Sequence, residues 1–113
     1  MEKESPIFSK SYDLIQWISQ HVEKYPKSER FRLARRIEDH VFDFYENLLA
    51  AVIYQDTYES LKKADLHLQS LKMYLRLSLE KKYMSMGQYE HVSSMVSEVG
   101  RLLGGWQRSH KRG

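Results

Sequence analysis

The 113 residues contain no cysteine, so disulfides and thiolate-bound metals are excluded. Proline occurs twice and glycine five times, too seldom for a chain with many turns. Long helices joined by short loops fit that scarcity. Apolar runs are short, LLAAVIY at 48–54 being an example, and none reaches the length of a membrane span. The opening residues MEKESPIFSK lack the apolar stretch of a secretory signal, which makes the cytoplasm the expected location. Signatures of catalysis are missing too. There is no glycine-rich phosphate loop and no pair of Glu-x-x-His motifs of the kind that holds two irons in a helical bundle. Glu90-His91 and Glu38-Asp39-His40 are adjacent runs without ligand spacing, and only His40 with Asp39 or Asp43 offers a metal any geometry. His21 and His67 read as surface residues. No catalytic residue, metal or cofactor is expected.

What is present is helical periodicity. Charged residues make up 29% and apolar residues 42%, a globular balance, and the length suits one domain over 1–113. A short flexible N-terminus precedes the first helix, expected from about Ser11, as cap, to Lys24, with Leu14, Ile15, Trp17, Ile18 and Val22 at helical spacing. Tyr25-Pro26 ends it, because the residue before proline disfavours helical backbone. A second helix is expected from Pro26–Ser28 to Tyr54. Its stripe is Leu33, Ala34, Ile37, Val41, Phe44, Leu48, Ala51 and Val52. Gln55–Thr57 breaks the chain. A third helix to about Tyr83 carries Leu61, Ala64, Leu68, Leu71, Leu75 and Leu79. Met84–Gly87 turns into a fourth, Gln88 to Arg108, with Val92, Met95, Val96, Val99, Leu103 and Trp106 inward and Gly104-Gly105 as a point of fraying. Short loops make successive helices antiparallel neighbours. The expected fold is all-α, an up-down-up-down four-helix bundle.

One bundle buries one side of each helix, yet the third helix has a second stripe: Leu66, Met73, Leu77 and Met84. Phe42 and Leu49 add to it from the second helix. These six are the expected oligomer seam; scattered surface hydrophobes are the alternative. Ser93, Ser97, Gly100 and Gly104 form a strip of small residues that suits close approach by a neighbouring helix.

Formal net charge is +3. Lys27, Arg30, Arg32, Arg35 and Arg36 crowd the start of the second helix, with Arg32, Arg35 and Arg36 on one face over an arc of roughly 100°. Cations there oppose the helix dipole, so helix propensity does not call for them. Lys62, Lys63, Lys72, Arg76, Lys81 and Lys82 follow on the third helix, and Arg101 and Arg108 on the fourth, before a basic tail over 109–113. The residues alone leave open a nucleic-acid surface, a protein-binding adaptor, or a solvated face in which Arg35 pairs with Asp39.

The segment YPKSERF at 25–31, followed by LARRIEDHVFDFYENLLAAVIY and a leucine-rich third helix, resembles the accessory variability determinant family of diversity-generating retroelements. It is similar, more loosely, to four-helix proteins encoded in intervening sequences of bacterial 23S ribosomal RNA genes. That second branch carries Asn-Ile-Ala-Glu-Gly in helix 2, where this chain has Glu46-Asn47-Leu48-Leu49-Ala50-Ala51, and the departure favours the retroelement branch. The resemblance covers about residues 10–108. It implies a non-catalytic bundle that assembles as a homopentamer and binds the retroelement reverse transcriptase. It also implies association with template RNA or RNA/DNA in support of adenine-directed mutagenic cDNA synthesis. The matched positions are Lys27 and Arg30, with the arginines downstream. The second branch implies instead an adaptor without a reverse transcriptase.

Overall fold

The computed structural model describes residues 5–110, arranged as four helices and one short 3-10 turn. Helix α1 spans Pro6–Val22, α2 Leu33–Ile53, α3 Thr57–Glu80 and α4 Met86–Ser109, with the 3-10 turn at Lys27–Glu29. Each helix packs on its two neighbours around a square, α1 on α2 and α4, α3 on α2 and α4. The result is the four-helix bundle expected from the periodicity, 45 × 25 × 24 Å in extent. No helix among the described residues is long and apolar enough to cross a membrane.

The core follows the expected stripes. Leu14 and Ile18 of α1, Ile37, Val41, Phe44 and Leu48 of α2, Leu61, Leu68 and Leu71 of α3, and Val92, Val96, Val99 and Leu103 of α4 are all at most 1% exposed. Leu79, Val52 and Met95 lie at its margin, half-buried.

Helices α1 and α3 end two and three residues short of expectation, at Val22 and Glu80, and four other boundaries differ as well. Helix α1 begins five residues earlier than Ser11. Ser5 stands in extended backbone as the N-cap and Pro6 takes the first turn, where its missing N–H costs nothing. The segment expected to be a flexible N-terminus thus supplies core: Ile7 and Phe8 are each 1% exposed, and Phe8 packs edge-on to Tyr45 at 5.8 Å. Ser11 is buried inside the helix and is not its cap. Second, α2 starts at Leu33, not at Pro26–Ser28; the intervening residues form a tighter turn, described below. Third, α4 starts at Met86 rather than Gln88. Ser85 and Gln88 form a reciprocal capping box, Ser85 Oγ accepting from the Gln88 N–H at 3.1 Å and Gln88 Oε1 from the Ser85 N–H at 2.9 Å. Fourth, Gly104 and Gly105 do not end α4, which continues to Ser109.

One member of the small-residue strip on α4, Gly100, has a local role. A Cβ built on Gly100 would meet Leu68 Cδ2 at 3.4 Å, so this glycine lets α3 and α4 of the same chain come close.

Candidate nucleic-acid interface

The stretch at residues 25–36 is organised by its one acidic side chain. Glu29 is 4% exposed despite its charge. The Tyr83 hydroxyl donates to Glu29 Oε2 at 2.7 Å. The Leu33 N–H, first of α2, donates to Oε1 at 3.5 Å, and Arg32 Nε lies 4.0 Å from the same oxygen. Burying a carboxylate is costly unless its oxygens find donors, and here they do. The Tyr83 hydrogen bond holds the Glu29 pKa below its ordinary value; the Leu33 N–H, Arg32 and Lys81 add to this against the opposing effect of burial. The same bond raises the Tyr83 pKa. Glu29 thereby starts α2 and ties that start to the end of α3.

Tyr83 is delivered to this position by the way α3 stops. Lys82 adopts φ 67°, its N–H bonding to the Leu79 carbonyl and the Tyr83 N–H to the Ser78 carbonyl, both at 2.9 Å. This is a Schellman ending with lysine in place of the usual glycine. The reversal turns the Tyr83 ring back onto Tyr25, with centroids 5.1 Å apart. Tyr25 in turn meets His21 edge-on at 5.4 Å, and His21 stacks on Trp17 at 4.8 Å. His21 is therefore buried, not on the surface as expected from sequence. Burial, then Lys24, pushes its pKa down.

The fold divides the basic cluster in two. Lys27 and Arg30 are not on α2; they border a cleft of about 440 Å³ between the end of α1 and the start of α2. Two carboxylates, Glu23 and Glu38, share that cleft and balance them. Arg32 caps α2, and with Arg36 it borders a second cleft of about 320 Å³ shared with Phe31, Tyr74, Leu77 and Lys81. Its carboxylate, Glu29, is already engaged. Arg36 and Lys81 have no carboxylate within 4 Å among the described residues, whereas Arg35 is held by Asp39 at 3.5 Å. Three cations meet at one aromatic-lined opening.

The other basic positions are dispersed and exposed. Lys62 lies over the Tyr58 ring at 5.9 Å, Arg76 pairs with Glu80 at 3.3 Å, and Arg101 lies 3.9 Å from Glu98. Lys63, Lys72 and Arg108 are exposed singly. Of the basic tail, Lys111 and Arg112 lie outside the described residues.

The expected seam is partly corrected. Met84 is 5% exposed and belongs to the chain's own core, because the turn after α3 folds it inward. Leu77 and Leu49 are half-buried against that core. Leu66, Met73 and Phe42 stay exposed, at 64%, 52% and 39%. His67, expected on the surface, is half-buried and paired: its Nδ1 lies 3.0 Å from His40 Nδ1. No group of three or more His, Cys, Asp or Glu among the described residues is placed to hold a metal ion.

Sequence reasoning singled out the arginines but not Glu29, Tyr83, Tyr74 or Lys81 as their partners. Glu29 and Tyr83 are 54 residues apart, and no local pattern announces such a contact. A usable signal did exist for Glu29: a lone acid inside a basic run immediately before a helix start.

The family model described as bAvd-like matches residues 6–110. No curated protein matches this chain.

Proposed function

The chain belongs to the bAvd-like family across nearly its whole length, and on that premise we propose that it binds the reverse transcriptase of a diversity-generating retroelement and its template RNA. The family is one of accessory, non-catalytic proteins associated with a retroelement protein. The polymerase would supply the chemistry and this bundle a charged scaffold. The single observation that carries the nucleic-acid part is the convergence of Arg32, Arg36 and Lys81 on one cleft whose carboxylate is already satisfied. Phosphate contacts by such a cluster are independent of sequence and sensitive to salt.

The proposal includes assembly as a homopentamer, with Leu66, Met73 and Phe42 at the seam. Repeating one modest basic cleft around a ring multiplies weak contacts into useful affinity. The departure from the ribosomal intervening-sequence pattern at residues 46–51 and the family match both weigh towards the retroelement branch over the adaptor reading.

The test is a titration of structured RNA against the wild-type chain and Arg32→Glu/Arg36→Glu across a salt series, with co-elution of a retroelement reverse transcriptase measured alongside. Wild-type affinity is expected to fall steeply with salt and the double variant to lose most of it. Undiminished binding by the variant would remove the cleft from the nucleic-acid surface. Failure to co-elute would remove the polymerase as partner.

A further inference from the structure

We infer that the cleft between the start of α2 and the end of α3 holds an unpaired base of a single-stranded nucleic acid, stacked on Phe31, with flanking phosphates on Arg32, Arg36 and Lys81. This deepens the nucleic-acid reading above and rests on it. Five observations lead there.

Phe31 is 75% exposed, more than any other large apolar side chain among the described residues. It sits in the turn between the 3-10 segment and α2, flanked by Arg30 and Arg32. An aromatic ring held in water loses the benefit of burial and leaves a π-face open. Beside it the cleft of about 320 Å³ has apolar and aromatic walls, Leu77 and Tyr74, and a cationic rim. Tyr74 is held by a ring contact: His40 stacks on it at 5.5 Å, and His40 is itself within 3.0 Å of His67. The aromatic wall of the cleft is therefore supported within the fold.

The electrostatics select an anion. Both oxygens of Glu29 already face donors, Tyr83 on one and the Leu33 N–H on the other, while Arg36 and Lys81 have no carboxylate within 4 Å among the described residues. The neighbouring cleft serves as an internal contrast: it is larger, but its two cations face two carboxylates, and no exposed aromatic ring lines it. An aromatic platform beside unpaired cations is the arrangement that binds single strands, because every base has a face to stack and every nucleotide brings a phosphate. In a duplex the base faces are occupied by their neighbours, so Phe31 distinguishes unpaired from paired nucleic acid.

The experiment compares fluorescence anisotropy of a labelled unstructured RNA dodecamer and of a blunt duplex of the same sequence, using the full chain at fixed salt. The variants are Phe31→Ala, Phe31→Tyr and Arg36→Gln. Phe31 packs on little, so circular dichroism and oligomeric state should match wild type for both Phe31 variants. Phe31→Ala is expected to weaken single-strand binding by roughly 5- to 150-fold, the range for one lost stacking contact. Duplex binding and the salt slope of single-strand binding stay unchanged, and Phe31→Tyr restores affinity. Arg36→Gln lowers the single-strand salt slope by roughly 0.7. Equal loss on both RNAs, or none on the single strand, overturns the stacking site. If Arg32→Glu/Arg36→Glu still abolishes salt-dependent binding in that case, the broader nucleic-acid reading survives. If wild type binds neither RNA, both fall. Loss of reverse transcriptase co-elution in Phe31→Ala with RNA binding intact would assign the ring to the protein partner and overturn the inference as well.

Discussion

Replacing Tyr83 by phenylalanine removes one hydroxyl and leaves Glu29 Oε2 without its donor in a buried place. Tyr83→Phe should lower the urea midpoint at neutral pH, since an orphaned buried carboxylate costs more than the bond itself contributes. It should also change the acid limb. The folded-state pKa of Glu29 lies below its ordinary 4.5, so its contribution is present above that value and fades as pH falls through the lower folded value. In Tyr83→Phe the depression shrinks and so does this loss; unfolding midpoints measured from neutral pH into the acid range test it. His21 behaves in the mirrored sense. Its folded pKa is below 6.5, so the unfolded chain takes up a proton first and stability declines as pH drops from about 6.5 until the folded state titrates as well. His40, held down by burial and then by His67 and Arg36, adds to the same decline. His21→Phe should flatten part of that slope. Denaturant midpoints through this range, followed by the emission of Trp17 stacked on the ring, would report it. An unchanged slope would mean that folding leaves the proton affinity of His21 unaltered.

At the scale of elements, helix ends decide where the site falls. The apolar stripes were legible because they follow a period of 3.6, and a one-residue error at an end leaves them on the same face. The ends were less legible, for identifiable reasons. Ser85-x-x-Gln88 is a readable capping box, yet Gly87 drew the boundary past it. Ser5-Pro6 is a readable helix start, obscured by the polar residues around it. The turn at 27–32 depends on the contact between Glu29 and Tyr83, which no local rule supplies. Each end can be tested. Ser85→Ala should cost about 1 kcal/mol through loss of the cap. Lys82→Gly should stabilise by roughly 0.5–1 kcal/mol, because a left-handed backbone is strained for lysine and not for glycine. Gly105→Ala should stabilise by about 1 kcal/mol, since α4 runs through it and the added Cβ meets nothing nearer than the mobile end of Arg108 at 3.8 Å. Chemical denaturation of the three variants beside wild type measures all of them; a destabilised Gly105→Ala would mean that α4 ends before residue 105.

For the whole molecule the open question is the surface that a single bundle leaves uncovered. Heptad spacing alone could not tell Met84, which the turn folds inward, from Leu66 and Met73, which remain outside. The seam variant follows from that distinction. Leu66→Asp/Met73→Asp alters two exposed positions, whereas an aspartate at half-buried Leu77 would strain the bundle itself. Light scattering after size exclusion should show the wild type as a pentamer that persists in high salt and the double variant as a folded monomer. A wild-type monomer would refute the ring. The basic residues on α3 and α4 are dispersed around the bundle, and only tertiary structure brings Lys81 to Arg32 and Arg36.

The bond between Glu29 and Tyr83 has a consequence for binding kinetics. It joins the two chain segments that form opposite sides of the cationic cleft, so the opening is set before any ligand arrives. A preorganised site spends little of its binding free energy on ordering itself. Cutting the tie would let the two sides drift without removing a single cation. On the proposed RNA binding, Tyr83→Phe should then leave the salt slope of association intact while shortening the lifetime of the complex, a separation of rates that no change of charge in the cleft would produce.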